Sequence, residues 1–286
     1  MSVGLRAIVP LLAFAVLGLT LAVLALRLAA ARSIALEPSP DQGSQGAAGL
    51  RSVPPIDSDP PTKTGLATFA MGCFYEAEAR FGVLPGVVRT RVGYAGGSAG
   101  TPSYAELGDH SEVVQVEYDP AAVTYQQLLD AFWSGHDPSY RHWSRRYASI
   151  VFYHSKQQRV LAEQSREHLA SRVAGRVLTE IRPVTELHLA ERWHQKYHVR
   201  QVPQLEAEYR EIYPDPAGWI ASTALARVNG YLAGYGKLGA LRRDLQALGL
   251  SLDNQRRLLS HWRPVVGTQG TRVCKFEDLS KSPLEP

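Results

Sequence analysis

The spacing of apolar residues between Leu66 and Tyr153 predicts four strands and two helices. One strand is a short apolar run, and the other three are β-branched or alternate apolar with polar residues. In chain order the predicted elements are the strand Leu66–Ala70, the helix Cys73–Phe81, the strands Val87–Tyr94 and Glu112–Tyr118, the helix Tyr125–Ser134 capped by Thr124, and the strand Ala148–Tyr153.

This order is strand, helix, strand, strand, helix, strand. It is the order of the split βαβ arrangement, a sheet with helices packed on one face. The sequence therefore predicts an α+β fold with a ferredoxin-like βαββαβ core sheet and additional C-terminal helices. Beyond the core, the predicted elements are the helix Lys156–Val173, a β-like stretch near Leu178–Leu189, a helix around Ala217–Leu232 and a helical segment Gly239–His261.

An uncharged run precedes these elements, from Ala7 to Leu26, and consists mainly of Leu, Ala and Val. As a helix, about 20 residues span roughly 30 Å, which is the thickness of the hydrocarbon core of a bilayer. We expect a single-pass membrane anchor, with a cleaved secretory signal as the second interpretation and a mitochondrial transit peptide as the third. Arginines flank the run on both sides, so the side of the membrane that the folded part occupies stays open.

Composition divides the chain into four predicted segments. Residues 1–32 form the anchor or signal segment. Residues 33–64 are rich in Pro, Gly, Ser and Asp and are expected to form a flexible stalk, because so few apolar residues cannot bury enough surface to fold. The folded domain with the candidate site is predicted over residues 65–235, and a helical extension with a polar tail over residues 236–286.

The charges and cysteines narrow the class of function. A net charge of +4 comes from 31 Lys and Arg against 27 Asp and Glu, without a basic stripe interleaved with aromatics, so nucleic-acid binding is not expected. Only two cysteines occur, Cys73 and Cys274, which is too few for a disulfide scaffold. Each is therefore either a redox or catalytic thiol or a buried structural residue.

Cys73 lies where a predicted buried strand ends and a predicted helix begins. In the first turn of a helix, free N–H groups and the positive end of the helix dipole stabilise a thiolate. Many redox and nucleophilic cysteines share this position, and a structural thiol can also occupy it. The position alone therefore leaves both interpretations open.

Short motifs follow Cys73 in a fixed order and spacing. They are Gly72-Cys73-Phe74-Tyr75, Leu84-Pro85-Gly86-Val87, Val92-Gly93-Tyr94-Ala95-Gly96-Gly97, Pro102-Ser103-Tyr104, Gly108-Asp109-His110-Ser111-Glu112, Tyr118-Asp119-Pro120 and His136-Asp137-Pro138. In these motifs the chain resembles the methionine sulfoxide reductases of the A class, over about Gly65–Gly234. The resemblance implies thiol-dependent reduction of methionine S-sulfoxide, free or in proteins, to methionine.

The resemblance also implies roles for individual residues. Cys73 would attack the sulfoxide sulfur and become a sulfenic acid. Glu112 matches the acid of the family, and its carboxyl can donate a proton near neutrality if apolar walls raise its pKa. The remaining matches are Tyr104 and Tyr147 as hydroxyl donors to the departing oxygen, Phe74 and Tyr75 as the aromatic pair around the substrate methyl group, and His194 and Tyr197 as pocket-lining residues.

His194 and His198 lie four residues apart, which is metal-ligand spacing on a helix. The family has a similar segment lining its pocket without metal. We therefore expect no metal and no bound cofactor, with thioredoxin or another external thiol as the reductant.

The sequence departs from the family pattern at three positions and in its tail. Tyr75 stands where Trp is usual, Glu76 where Gly is usual, and His142 where an Asp is usual. These departures keep a second hypothesis open, a membrane-tethered relative that binds oxidised methionine or a partner without turnover. A third hypothesis, an unrelated thiol enzyme such as an acyl transferase, needs a His base beside Cys73, and no motif supplies one.

A glycine-rich cysteine tail, present in many members of the family, is absent. Only Cys274 lies near the C-terminus, within a polar segment. Cys274 either resolves the sulfenic acid of Cys73 through a disulfide or is incidental, and disulfide geometry cannot be derived from the sequence.

Overall fold

The structure, a computed structural model, describes residues 52–173 and 175–265. The predicted anchor, Ala7–Leu26, and the candidate resolving residue Cys274 lie outside the described residues. Within the described ranges, no helix combines the length and apolar character needed to cross a membrane.

A mixed sheet is the centre of the fold, with strand order β5-β4-β1-β3-β2-β6 across the described residues. Its four central strands pair antiparallel in the order β4-β1-β3-β2, so the predicted ferredoxin-like α+β core is confirmed. The outer strands add a parallel partner to β4 and an antiparallel partner to β2. The strands are β1 (Gly65–Met71), β2 (Val87–Ala95), β3 (Ser111–Tyr118), β4 (Ser149–Tyr153), β5 (Glu180–Pro183) and β6 (His188–Leu189).

Three helices cover one face of this sheet: α1 (Phe74–Gly82), α2 (Tyr125–Trp133) and α3 (Lys156–Ala170). Phe69 of β1 stacks on Phe81 of α1 and on Phe132 of α2, with ring centroids 4.9 and 5.2 Å apart. Thr124 caps α2 with a complete capping box, as its position in the sequence predicted. The core therefore holds the helix that begins next to Cys73 firmly against the sheet.

The remaining helices share a second apolar core beside α1. Helices α1 and α7 cross closely, where Gly82 lies against the backbone oxygen of Ala226 and Gly230 lies against that of Ala79. Any side chain at these two glycines would collide with backbone atoms. The helices are α4 (Tyr197–Arg200), α5 (Pro203–Ile212), α6 (Pro216–Ala221), α7 (Thr223–Leu232), α8 (Leu238–Asp244) and α9 (Leu252–His261).

Three sequence-based boundaries need correction. The helix predicted around Ala217–Leu232 is two helices, because Ser222 has extended backbone angles and caps α7 through the N–H of Leu225. The predicted helical segment Gly239–His261 contains two helices, α8 and α9, which are separated around Gly249, whose φ is 72°. The β-like stretch near Leu178–Leu189 is two short strands.

The end of the predicted stalk is folded against the domain. Residues 55–57 form a 3-10 turn, and the Asp57 carboxylate accepts hydrogen bonds from Thr223 N–H at 2.6 Å, Ser222 Oγ at 2.7 Å and Tyr213 hydroxyl at 2.5 Å. Residues 55–57, near the end of the predicted stalk, are therefore held against the domain, and the flexible stalk stays a prediction. One half-buried carboxylate at the first turn of α7 makes these contacts in spite of the polar composition of the segment.

Candidate active site

Cys73 lies at the junction between β1 and α1. Gly72, with a φ of 88°, makes the turn, and Cys73 directly precedes the first residue of the helix. The carbonyl of Cys73 accepts a hydrogen bond from Ala77 N–H at 3.2 Å, and the residue is 4% exposed. In the reduced protein, a thiolate here lies at the positive end of the helix dipole, which favours the charged, nucleophilic form.

The carboxyl group of Glu112 reaches the first residue of the same helix. Glu112 lies near the start of β3 and accepts a hydrogen bond from Phe74 N–H at 3.1 Å. Its side chain is 1% exposed, and Arg146 Nη1 lies 3.4 Å from its Oε1. Burial raises the pKa of Glu112 to about 7, although the Phe74 N–H and the Arg146 guanidinium each lower it. Such a carboxyl can hold and release a proton near neutral pH.

Two tyrosine hydroxyls accompany this carboxyl. Tyr104 lies in the loop between β2 and β3, where burial, the Glu112 carboxyl and nearby Tyr147 raise its pKa to about 12. Tyr147 ends a 3-10 turn just before β4, and burial followed by the Glu112 charge raises its pKa as well. Both hydroxyls therefore stay protonated near neutrality and can donate hydrogen bonds to an oxygen atom.

Aromatic rings form the wall beside Cys73. Tyr75 stacks on Tyr197 at 3.9 Å between centroids, and Phe74 lies 5.0 Å from Tyr75 and 5.1 Å from His194. Tyr104 lies 4.6 Å from His194. The residues assigned to substrate binding from the sequence, which come from two separate stretches of the chain, thus lie together with Cys73. A pocket of this kind suits a small apolar group, such as a thioether methyl.

The two histidines with metal-ligand spacing have different partners. His194 Nδ1 is hydrogen-bonded to the Tyr75 hydroxyl at 2.5 Å, and burial lowers the His194 pKa to about 4, so the ring is neutral. His198 Nε2 instead lies 3.8 Å from the Glu76 carboxylate. Among the residues that the structure describes, no group of His, Cys, Asp and Glu side chains could hold a metal ion.

The three residues that depart from the family pattern each contact neighbouring side chains. Tyr75 keeps an aromatic wall and uses its hydroxyl to hold His194. Glu76 accepts a hydrogen bond from the Tyr235 hydroxyl at 2.9 Å, so it ties α1 to the C-terminal helices. His142 packs edge-on against Tyr140 at 5.0 Å, and burial lowers its pKa, so it cannot replace the charge of an aspartate.

Sequence reasoning missed the carboxylate of Glu191. It accepts hydrogen bonds from the Tyr104 N–H and from the Tyr94 hydroxyl, both at 2.8 Å, and lies 3.6 Å from His194 Nε2. Burial raises its pKa, but these hydrogen bonds and neighbours outweigh burial, so the net pKa is lowered. The two carboxyl groups near the pocket thus differ: Glu191 is an ionised anchor, and Glu112 is able to carry a proton.

A buried ion pair, also missed, fixes the segment that carries His194 and Tyr197. Lys196 Nζ lies 2.8 Å from Glu78 Oε1, and both side chains are fully buried. Lys196 has a φ of 55°, and its N–H also donates to Glu78 at 2.8 Å. No local pattern marks these partners, because residues 78 and 196 lie 118 positions apart.

The fold and the site together define a thiol-dependent enzyme: a cysteine at a helix start, a proton-carrying carboxyl and an aromatic pocket. The family model of peptide methionine sulfoxide reductases matches residues 65–215. The chain belongs to this family, and the resemblance to its A class is confirmed.

Relatives agree with this assignment. A peptide methionine sulfoxide reductase of Drosophila melanogaster is 37% identical over 187 residues, which covers 65% of this chain and 75% of that protein. Peptide methionine sulfoxide reductase A5 of Arabidopsis thaliana is 41% identical over 187 residues, covering 62% and 71%. A solved structure of methionine sulfoxide reductase A of Corynebacterium diphtheriae is 31% identical with a TM-score of 0.47, covering 57% of this chain and 92% of that one.

Proposed function

We propose that this protein reduces methionine S-sulfoxide, free or within proteins, to methionine, with Cys73 as the nucleophile. The observation that supports this most directly is the Glu112 carboxyl. It is buried, its pKa is near 7, and it is hydrogen-bonded to the backbone N–H of the residue that follows Cys73. Glu112 is therefore tied to the start of the helix that follows Cys73, which supports their proposed roles as proton donor and nucleophile.

The chemistry balances with these groups. The Cys73 thiolate forms a bond to the sulfoxide sulfur, and the bond between that sulfur and oxygen breaks as the oxygen is protonated and leaves as hydroxide. This oxygen then bonds to Cys73 Sγ while the bond between the two sulfurs breaks, which releases methionine. Glu112 supplies a proton, while the Tyr104 and Tyr147 hydroxyls hold the oxygen by hydrogen bonds. Overall, a thiolate, a sulfoxide and a proton give methionine and a sulfenic acid on Cys73, so that the substrate gains the two electrons that Cys73 loses.

The aromatic rings would bind the rest of the sulfoxide group. Phe74, Tyr75 and Tyr197 present apolar faces next to Cys73, where the methyl group of the substrate would lie. The hydroxyl of Tyr75 is engaged by His194, so it does not compete with the hydroxyls proposed to hold the oxygen.

An assay with both epimers of a blocked methionine sulfoxide, with dithiothreitol as reductant, tests the proposal. We expect turnover of the S epimer and its abolition in Cys73→Ser, because a serine hydroxyl is far less acidic and less nucleophilic toward sulfur. Circular dichroism would establish that the variant is folded. Undiminished turnover by folded Cys73→Ser, or no turnover of either epimer by the wild type, would overturn the assignment.

Recycling of Cys73 requires an external thiol, for which we propose thioredoxin or a similar dithiol. Cys274 remains a candidate resolving residue. If it acts, one equivalent of sulfoxide converts two thiols into a disulfide, and Cys274→Ser still forms one equivalent of methionine but stalls with thioredoxin. Wild-type cycling of Cys274→Ser with thioredoxin would show that external thiols attack Cys73 directly.

The segment Ala7–Leu26 remains our proposal for a single-pass membrane anchor, on the basis of its uncharged length. Carbonate extraction of membranes and mass spectrometry of the mature N-terminus test it. A soluble protein whose N-terminus lies near Arg32 would contradict the anchor and favour a cleaved signal.

A further inference from the structure

Arg146 contacts the carboxyl group and one of the hydroxyl-bearing residues of the proposed site at the same time. Its Nη1 lies 3.4 Å from Glu112 Oε1, and its Nη2 donates a hydrogen bond to the carbonyl oxygen of Tyr104 at 2.8 Å. The guanidinium carbon also lies 4.6 Å from the centre of the Tyr104 ring. The guanidinium thus contacts two elements through two separate nitrogens held in a fixed planar fork, a geometry that a lysine ammonium lacks.

The backbone around Arg146 is fixed by short-range contacts. Arg146 N–H donates to Ser144 Oγ at 3.2 Å, at the start of the 3-10 turn Arg145–Tyr147. Ser111 Oγ, next to Glu112 in the chain, donates to the carbonyl of Arg145 at 2.8 Å. This turn therefore carries Arg146 and Tyr147 to the Glu112 end of β3, and the guanidinium is held where the acid is.

A positive charge at this distance opposes the effect of burial on Glu112. Burial alone favours the neutral carboxyl, and a guanidinium within about 4–6 Å favours the charged carboxylate. The balance leaves the pKa of Glu112 at about 7, where an acid can both keep its proton at rest and give it up during the reaction. An acid in the same apolar site without the cation would hold its proton more tightly and donate it less readily.

We propose that Arg146 is a positioning residue of this reaction, which holds Glu112 and Tyr104 together and sets the pH range over which Glu112 donates its proton. The proposal rests on the proposed function, because it concerns the acid of that reaction. Arg146 acts through Glu112 and Tyr104 and is not itself assigned a contact with the substrate.

The other groups that face Glu112 do not titrate near neutrality. The pKa of Tyr104 is raised to about 12, and the pKa values of the other surrounding tyrosines are raised above their ordinary value. The pKa values of His194 and Glu191 are lowered. These groups are Tyr75, Tyr94, Tyr104, Tyr147, His194 and Glu191. Among these groups, a titration near pH 7 therefore reports Glu112.

Two variants of Arg146 distinguish its role in setting the pH range from its role in holding Glu112 and Tyr104 together. A variant of Arg145 is the matched control. Arg146→Gln removes the charge, whereas Arg146→Lys keeps the charge and removes the fork. Arg145→Gln removes an equal charge from the same turn, but Arg145 pairs with Glu180 and not with Glu112. All three would be compared by thermal unfolding to establish that each is folded.

The first measurement is the rate of methionine formation in a single turnover, as a function of pH. In Arg146→Gln we expect the alkaline limb of the profile to move upward by about 1 pH unit, because Glu112 loses its neighbouring cation. In Arg146→Lys the limb should stay close to that of the wild type, while the rate at pH 6 falls by about tenfold as the Tyr104 carbonyl loses its charged donor. Arg145→Gln should match the wild type in both respects.

The second measurement does not depend on catalysis. Carbon-13 labelling of glutamate allows the Glu112 carboxyl to be titrated by NMR in the Cys73→Ser background, where no thiol contributes. Adding Arg146→Gln should again raise the midpoint by about 1 unit. An unchanged midpoint and a superimposed alkaline limb would overturn the pH-setting role, and an unchanged rate at pH 6 in folded Arg146→Lys would overturn the holding role. Failure of the proposed function appears separately, as a wild type without activity.

Discussion

The backbone N–H of Phe74 donates a hydrogen bond to Glu112 at 3.1 Å, across 38 positions of sequence. This contact joins the first turn of α1 to β3 directly beside Cys73. Burial raises the pKa of the Glu112 carboxyl, and this hydrogen bond lowers it. The same bond therefore both positions the acid and contributes to its pKa.

Glu112→Gln should slow the chemical step and leave substrate binding nearly unchanged. The amide can accept the Phe74 hydrogen bond and donate another, but it cannot transfer a proton. General acid catalysis contributes about 10²–10⁴-fold, so we expect a loss in kcat of this size with little change in KM. Steady-state kinetics with the S epimer measure both, and a loss well under tenfold would reject Glu112 as the acid.

The same substitution should stabilise the protein at alkaline pH. Unfolded Glu112 has an ordinary pKa of 4.5, and the folded value is about 7. Below pH 4.5, Glu112 is protonated in both the folded and the unfolded protein, so its burial does not change the free energy of unfolding with pH. As pH rises from 4.5 to 7 only the unfolded state ionises, so the wild type loses stability, by roughly 3 kcal/mol at most above pH 7.

Denaturant unfolding of wild type and Glu112→Gln at pH 5 and pH 8 tests this. The free energy of unfolding of the variant relative to the wild type should increase between the two pH values. A relative stability that does not change with pH would mean that the folded carboxyl ionises normally.

Tyr75→Phe should weaken the pocket without removing its wall. The phenyl ring can still stack on Tyr197, but His194 Nδ1 loses the hydroxyl at 2.5 Å. Leaving a buried polar atom unpaired costs about 1–3 kcal/mol, so we expect kcat/KM to fall by about tenfold, mainly through KM. Tyr140→Phe, which removes a hydroxyl from a side chain that is 48% exposed, is the control and should leave kcat/KM unchanged.

Gly230→Ala should destabilise the crossing of α1 and α7. A Cβ at this position would lie 2.4 Å from the Ala79 carbonyl oxygen and 2.3 Å from Val83 Cγ1, and the backbone oxygen cannot move without shifting α1. Overpacking of this kind costs about 1–3 kcal/mol, which lowers Tm by several degrees.

Gly239→Ala is the matched helix substitution. Its Cβ would meet only the end of Arg243 at 3.7 Å, so helix propensity should raise stability by about 0.5–1 kcal/mol. Equal melting temperatures for the two variants would contradict the close approach.

Asp57→Ala should destabilise the whole domain, although position 57 lies before the first strand. The change leaves the Thr223 N–H, the Ser222 hydroxyl and the Tyr213 hydroxyl without their shared acceptor. We expect a loss of about 1–3 kcal/mol in the free energy of unfolding. Asp59→Ala, at an exposed neighbouring position, should leave it unchanged. If both variants unfold alike, residues 52–64 do not contribute to the stability of the domain.

The elements of the core could be predicted from the sequence because their signals are local. Alternation of apolar and polar residues predicted β3, and helical spacing after the Thr124 cap predicted α2. Both predicted elements end within one or two residues of their observed ends. Neither α4 nor α5 was predicted. The four residues of α4 are too few to show a helical period, whereas α5 has Pro203 at its first position and Leu205, Tyr209 and Ile212 at helical spacing, so its local signal was present and was missed. The predicted order of a strand followed by a helix also placed Cys73 correctly, at the junction between β1 and α1.

The sequence by itself determined the core topology, the position of Cys73 and the family to which its motifs belong. Only the tertiary structure decided which charges surround Glu112 and what they do to its pKa. Arg146 and Glu191 have no distinctive local pattern, and their effect depends on distances of a few ångströms between segments far apart in the chain. Burial and Coulomb interactions are properties of the folded arrangement, so residue order alone cannot supply them.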